Sequence, residues 1–174
     1  MFLVLGVLLG ALAVVAPYRF DRIKAFFDPT RDTQGTSYHI NQALIGIGSG
    51  GIFGLGYGQS KQKFNYLPEP VGDSIFAVLV EELGFVGGVF LVALFVLFAL
   101  TMISIAKNSS SQFGRMVILG ITTWVSAQAF INIASISGLI PLTGIPLPFV
   151  SFGSSSLLSL LSGLGIAVNI SRYS

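Results

Sequence analysis

The sequence predicts an all-α fold, a polytopic membrane helix bundle of about four transmembrane helices and one long loop. Only 9% of the 174 residues are charged and 53% are hydrophobic, whereas soluble domains carry roughly 25% charged residues. Mean hydropathy is +0.84. A helix needs about 20 apolar residues to cross a hydrocarbon core of about 30 Å. Three charge-free runs, 1–18, 83–106 and 116–171, supply that length or nearly so, with prolines dividing the last one.

These runs define a single membrane domain over residues 1–174. The predicted spans cover about 1–17, 75–106, 116–139 and 149–171, and the long loop covers 18–74. Residues 1–16 lack the positive start of a signal peptide, so we interpret them as a retained helix. The net charge of +2 gives no case for nucleic-acid binding. The absence of cysteine excludes disulfides and thiolate metal sites.

The long loop contains two patterned segments. Phe20, Ile23 and Phe27 recur at helical spacing among charges, which favours a helix in the membrane interface over a plain turn. Residues 40–58 are apolar but contain seven glycines. Since each glycine weakens a helix by about 1 kcal/mol relative to alanine, we predict a loop or short helix packed against the membrane domain. The alternative is a fifth, distorted span.

The third span carries polar residues on one face. Gln128, Asn132 and Ser135 follow i, i+4 and i+7 spacing, and in lipid such a face should pack inward. Hydrogen bonding within the protein is the simpler role, and ligand contact is the alternative. The prolines of segment 138–148 exclude a continuous helix. Small residues then repeat every four positions, which predicts a helix–helix seam at Ser151, Ser155, Ser159 and Gly163.

Orientation is ambiguous from charge alone. Six Lys and Arg residues fall in 19–63 and three on the opposite side, which would put the long loop in the cytoplasm. The rule weakens as loops approach about 60 residues, so the alternatives stay open at this point.

Acids near the membrane are the candidates for chemistry, because charge is costly to keep there. Asp73 precedes the second span, and Glu81 and Glu82 follow two turns later. Desolvation would suit Asp73 to act as a general base, and Lys61 and Lys63 could hold a phosphate. The alternative is that Asp73 simply caps the helix. The single histidine, His39, is interpreted as a structural loop residue, and no metal site is predicted.

Two stretches of the sequence resemble one family closely. Residues 45–63, with Tyr66-Leu67-Pro68-Glu69, Asp73-Ser74-Ile75-Phe76-Ala77-Val78 and Glu81-Glu82-Leu83-Gly84, are similar to the long extracellular loop and next helix of the SEDS family (FtsW, RodA and SpoVE). Residues 138–153 resemble the signature before that family's last helix. The segment Pro70-Val71-Gly72-Asp73 and the ending Ala167-Val168-Asn169-Ile170-Ser171-Arg172 are more similar to the FtsW branch.

The resemblance implies a fold, an activity and a location. The fold would be the C-terminal portion of a SEDS protein of about ten spans, with the long loop extracytoplasmic. The activity would be an inverting peptidoglycan glycosyltransferase that polymerises lipid II and releases undecaprenyl diphosphate during cell division or elongation. The location would be the bacterial inner membrane. We expect the chain alone to be inactive, because much of the cavity wall would be missing. A lipid-precursor flippase and a non-catalytic divisome scaffold are the alternatives.

The resemblance also assigns residues and partners. Asp73 would be the catalytic aspartate. Beside this assignment, the expected substrate-binding residues are Lys61, Lys63, Glu69, Glu81, Gln128, Asn132 and Ser151, and the two lysines are selected because they lie near Asp73 in the sequence. The expected partners are a class B penicillin-binding protein, other divisome or elongasome membrane proteins, and membrane lipid. The cofactor is undetermined, with a divalent cation as one candidate. The sequence departs from the family pattern at Val71-Gly72, where His-Thr is frequent, and at Phe152-Gly153-Ser154-Ser155-Ser156.

Overall fold

A computed structural model describes residues 22, 26, 35–65 and 67–172. In this part of the chain every regular element is helical: α1 (Thr36–Ser49), α2 (Gln62–Asn65), α3 (Ile75–Asn108), α4 (Gln112–Ile136) and α5 (Ser154–Arg172). The three long helices, α3, α4 and α5, are long and apolar enough to cross a membrane. The predicted class, a polytopic membrane helix bundle, is therefore confirmed. The predicted span 1–17 lies outside the described residues. So does most of the predicted interfacial helix, of which Arg22 and Phe26 are helical.

The glycine-rich segment is a short helix followed by a loop, as predicted. Helix α1 is 14 residues long and packs mainly against α3. It is not among the helices that could span a membrane within the described residues, which argues against the fifth-span alternative.

The loop after α1 pairs with a break in α3. Gly84 has φ 73° and ψ −173°, a conformation that is essentially restricted to glycine. The break leaves backbone groups available: Leu55 N donates to Glu81 O at 3.0 Å, and Phe85 N donates to Gly51 O at 2.9 Å. A side chain at Gly84 would overlap the carbonyl oxygen of Ile52. Glycine is therefore required where the loop backbone approaches the helix backbone.

The spans pack in sequence order, α3 on α4 and α4 on α5. One apolar cluster, which includes Phe76, Ala129 and Ile136, lies where α1, α3 and α4 meet. A second, formed by Met102, Ala106, Ile118 and Ala167, lies at the other end.

The seam of α5 differs from the predicted one. Gly163 packs against Ile121 and Trp124, but Ser155 and Ser159 are exposed and Ser151 precedes the helix. Leu160 and Ala167 are the buried residues of α5. The four-residue repeat therefore misplaced the buried face, because a strict period of four drifts around a helix of 3.6 residues per turn.

Segment 138–153, which we call the proline-rich segment, is non-helical, as its prolines predict. Positive φ angles at Gly138, Gly144 and Phe149 bend it. Leu142 and Leu147 anchor it in the apolar cluster shared by α1, α3 and α4. The segment therefore lies against the start of α3, where Asp73 is found.

Candidate functional site

Asp73 lies in the turn that leads into α3. The alternative of a helix cap is wrong, since the N-cap position is Ser74 and α3 begins at Ile75. The Asp73 side chain is 13% exposed. Its carboxylate is thus largely withdrawn from solvent while part of it stays accessible, which suits a group that must meet a substrate.

Hydrogen bonds to three successive carbonyl oxygens, those of Val71, Gly72 and Asp73, hold the backbone at Asp73 in place. Phe152 N donates to Val71 O at 2.9 Å, and Ser151 Oγ donates to Gly72 O at 2.6 Å. Asn132 Nδ2 donates to Asp73 O at 2.8 Å and to Ile145 O at 2.7 Å. Since the donors come from α4 and the proline-rich segment, the position of Asp73 depends on both elements.

Two of these donors, Ser151 and Asn132, also contact the proline-rich segment, and Gln128 adds a third contact to it. Ser151 Oγ accepts from Leu147 N at 2.7 Å. Gln128, one turn before Asn132, donates to Pro146 O at 2.9 Å. Asn132 is fully buried. The inward packing predicted for this face of α4 is confirmed, and its amide N–H and hydroxyl groups donate to backbone carbonyls.

An arginine that the sequence analysis did not select lies beside Asp73. Arg22 Nη1 donates to Thr143 O at 2.8 Å and to Leu142 O at 3.2 Å. A side chain at Gly144 would begin 3.4 Å from Arg22 Nη1 and 3.8 Å from Asp73 Oδ2. The guanidinium and the carboxylate therefore flank the same glycine. No spacing rule links residues this far apart in the chain, so only the fold brings them together.

His39 and Ser74 were also missed. His39 is on α1, not in a loop as predicted, and it is buried. Its Nε2 lies 2.5 Å from Ser74 Oγ and 3.9 Å from Asp73 Oδ1. Burial lowers the pKa of His39, and Arg22 lowers it further, while Asp73 and Glu69 act in the opposite direction. The adjacency of Ser74 to Asp73 was the only sequence signal that could have pointed to this contact.

Glu81 and Glu82 bind the segment before and within α2 that carries the two predicted lysines. Ser60 Oγ and Lys61 N donate to the Glu81 carboxylate at 2.5 and 3.0 Å. Lys63 Nζ lies 2.7 Å from Glu82 Oε1. Glu81 is 1% exposed, and its carboxylate accepts hydrogen bonds from Ser60 and Lys61 rather than from solvent.

The remaining predicted residues lie at the rim of this arrangement. The side chain of Lys61 is exposed. Glu69 is exposed, has φ 44°, and accepts from Gly72 N at 3.0 Å in the turn before Asp73. In the described part of the chain, no three acidic or histidine side chains group as metal ligands. Direct substrate contact by the predicted residues stays a prediction.

The fold and the site together define a polytopic membrane protein with a partly accessible aspartate, Asp73, at the start of a span. The chain belongs to the cell cycle protein family of FtsW, RodA and SpoVE, whose model matches residues 1–174. The family resemblance drawn from the sequence is thereby confirmed.

Curated relatives carry names that agree with this. Stage V sporulation protein E of Bacillus subtilis is 47% identical over 163 residues, which cover 94% of this chain and 44% of that protein. A probable peptidoglycan glycosyltransferase FtsW of Nitrosomonas europaea is 42% identical over 165 residues, covering 93% and 42%. The chain therefore spans less than half the length of the curated relatives it matches.

A solved structure is also similar. It is a chain described in work on the coordination of polymerization and crosslinking by a peptidoglycan synthase complex. The TM-score is 0.69 at 28% identity, over 98% of this chain and 48% of that one.

Proposed function

We propose that this chain forms the acid-bearing C-terminal part of a peptidoglycan glycosyltransferase that polymerises lipid II. The observation that carries the proposal is the Asp73 carboxylate, 13% exposed, on a backbone held by three hydrogen bonds. A general base needs this combination of access and fixed position. Relatives named peptidoglycan glycosyltransferases support the reaction class.

In the proposed reaction, Asp73 accepts the proton of the acceptor sugar's 4-hydroxyl. The oxygen attacks the anomeric carbon of the lipid-linked donor, the bond to the diphosphate breaks, and undecaprenyl diphosphate leaves with inversion. A cation near the leaving diphosphate would stabilise its developing charge. Arg22, beside Asp73, is a third candidate for this role in addition to Lys61 and Lys63.

The proposal includes a location and partners. The long loop would face outward from the bacterial inner membrane, so that Asp73 meets lipid II at the outer leaflet. The partner would be a transpeptidase of the class B penicillin-binding type, with other division or elongation proteins around it. The described contacts do not favour the flippase alternative, because Gln128, Asn132 and Glu81 bind protein groups and would not line a polar path.

The test is Asp73→Asn in the longest gene product that carries this chain, purified with its transpeptidase and supplied with lipid II in detergent. Loss of the base should lower the polymerisation rate about 10²- to 10⁴-fold, while lipid II binding persists because asparagine keeps the size of the side chain. Unchanged polymerisation would contradict the proposal. Lipid II headgroup translocation in liposomes that survives this change would favour the flippase.

A further inference from the structure

A buried line of polar groups reaches Asp73 from α1. It runs from His39 Nε2 to Ser74 Oγ, 2.5 Å apart, and from Ser74 Oγ to Asp73 Oδ1, 3.2 Å apart. Ser74 is fully inaccessible to solvent and His39 is buried. Solvent therefore does not compete for the contact between His39 and Ser74, which makes it stronger than it would be at the surface.

The direction of the donated protons follows from the chemistry of the groups. An ionised carboxylate only accepts hydrogen bonds, so the hydroxyl of Ser74 is the donor in its contact with Asp73 Oδ1. In that arrangement Ser74 Oγ accepts from His39 Nε2, which requires the His39 tautomer with the proton on Nε2. Pro68 O, 3.3 Å from Ser74 Oγ, is the competing acceptor. Without His39, nothing in this line would hold the hydroxyl toward Asp73.

We propose that His39, acting through Ser74, is a positioning residue that orients the Asp73 carboxylate for proton abstraction. The contact engages Oδ1, while Oδ2 lies on the side of Gly144 and Arg22. The acceptor hydroxyl would thus meet Oδ2. This inference rests on the proposed function, since it needs Asp73 to be the base.

The arrangement makes activity depend on pH in a defined way. His39 stays neutral near pH 7 because burial lowers its pKa, although Asp73 and Glu69 oppose this effect and Arg22 adds to it. As pH falls through that pKa, a positive charge appears 3.9 Å from Asp73 Oδ1. A cation at this distance weakens the carboxylate as a base. The acidic limb of the rate profile should therefore contain the titration of His39.

The experiment compares His39→Ala, His39→Gln and Ser74→Ala in the same purified full-length protein with lipid II. His39→Ala and Ser74→Ala should each lower kcat about 10-fold or more with little change in KM, and the double variant should be no worse than either one. His39→Gln should recover most of the lost rate, because its amide N–H can replace the Nε2 donor. It should also move the acidic limb to lower pH, because an amide does not titrate.

Two controls separate a positioning role from a folding defect. Asn41→Ala changes an exposed residue on α1, and Ser159→Ala changes an exposed serine on α5; both should behave as wild type. Ser74 makes no side-chain cap bond to α3, so Ser74→Ala does not remove a helix cap. If His39→Ala does not fold, the rate of Ser74→Ala and the pH profile of His39→Gln still test whether His39 positions Asp73 through Ser74.

Three results would overturn the inference: wild-type kcat in Ser74→Ala, losses that multiply in the double variant, or an unshifted acidic limb in His39→Gln. The proposed function fails separately. If Asp73→Asn keeps polymerising lipid II, Asp73 is not the base. If Asp73→Asn is inactive while the His39 and Ser74 variants match wild type, only the positioning role is lost.

Discussion

Asn132 provides the sharpest test of how α4 positions Asp73. Asn132→Ala removes two donated hydrogen bonds, of 2.8 Å to Asp73 O and 2.7 Å to Ile145 O. Each such hydrogen bond contributes about 0.5–1.5 kcal/mol net. The free energy of unfolding should therefore fall by about 1–3 kcal/mol.

The same change should reduce activity more than binding. Once Asp73 O is released, the turn that carries the carboxylate can shift, and a displacement of about 1 Å can cost about 100-fold in rate. We expect kcat to fall about 10- to 100-fold with KM nearly unchanged. The measurements are unfolding in detergent and lipid II polymerisation by the full-length protein.

The matched control is Asn169→Ala, because Asn169 is an exposed asparagine on α5. It should leave both the stability and the rate near their wild-type values. If Asn132→Ala is as stable and as active as Asn169→Ala, the two hydrogen bonds neither support the fold nor position Asp73, and the reasoning is refuted.

Two further predictions concern the contact between the loop after α1 and the break in α3, and the activity of the chain by itself. Gly84→Ala should lower the free energy of unfolding by at least about 1–3 kcal/mol, because its backbone conformation excludes a side chain and the added methyl overlaps Ile52 O. Gly120→Ala is the control, because a side chain at Gly120 meets no neighbouring atom. Equal unfolding curves for the two variants would show that the break at Gly84 does not need glycine. The purified 174-residue chain should not polymerise lipid II, and glycan strands from it alone would show that the rest of the cavity is not needed.

The sequence by itself determined the class of protein and the region of the site. Charge-free runs reveal the spans because lipid excludes charge and unsatisfied backbone groups. The inward face of Gln128 and Asn132 was also readable, since helical periodicity is a local property. Prolines located the break at 138–148 for the same reason. The resemblance then selected Asp73.

Only the tertiary structure decided which groups surround Asp73. Arg22 and His39 reach it from elements far away in the chain, and no local pattern encodes such a distance. The break at Gly84 could not be predicted from the sequence either, because a continuous helix and a helix with a break that contacts a loop have the same hydropathy. Local interactions leave a trace in the spacing of residues, whereas contacts between distant segments arise only when the chain packs.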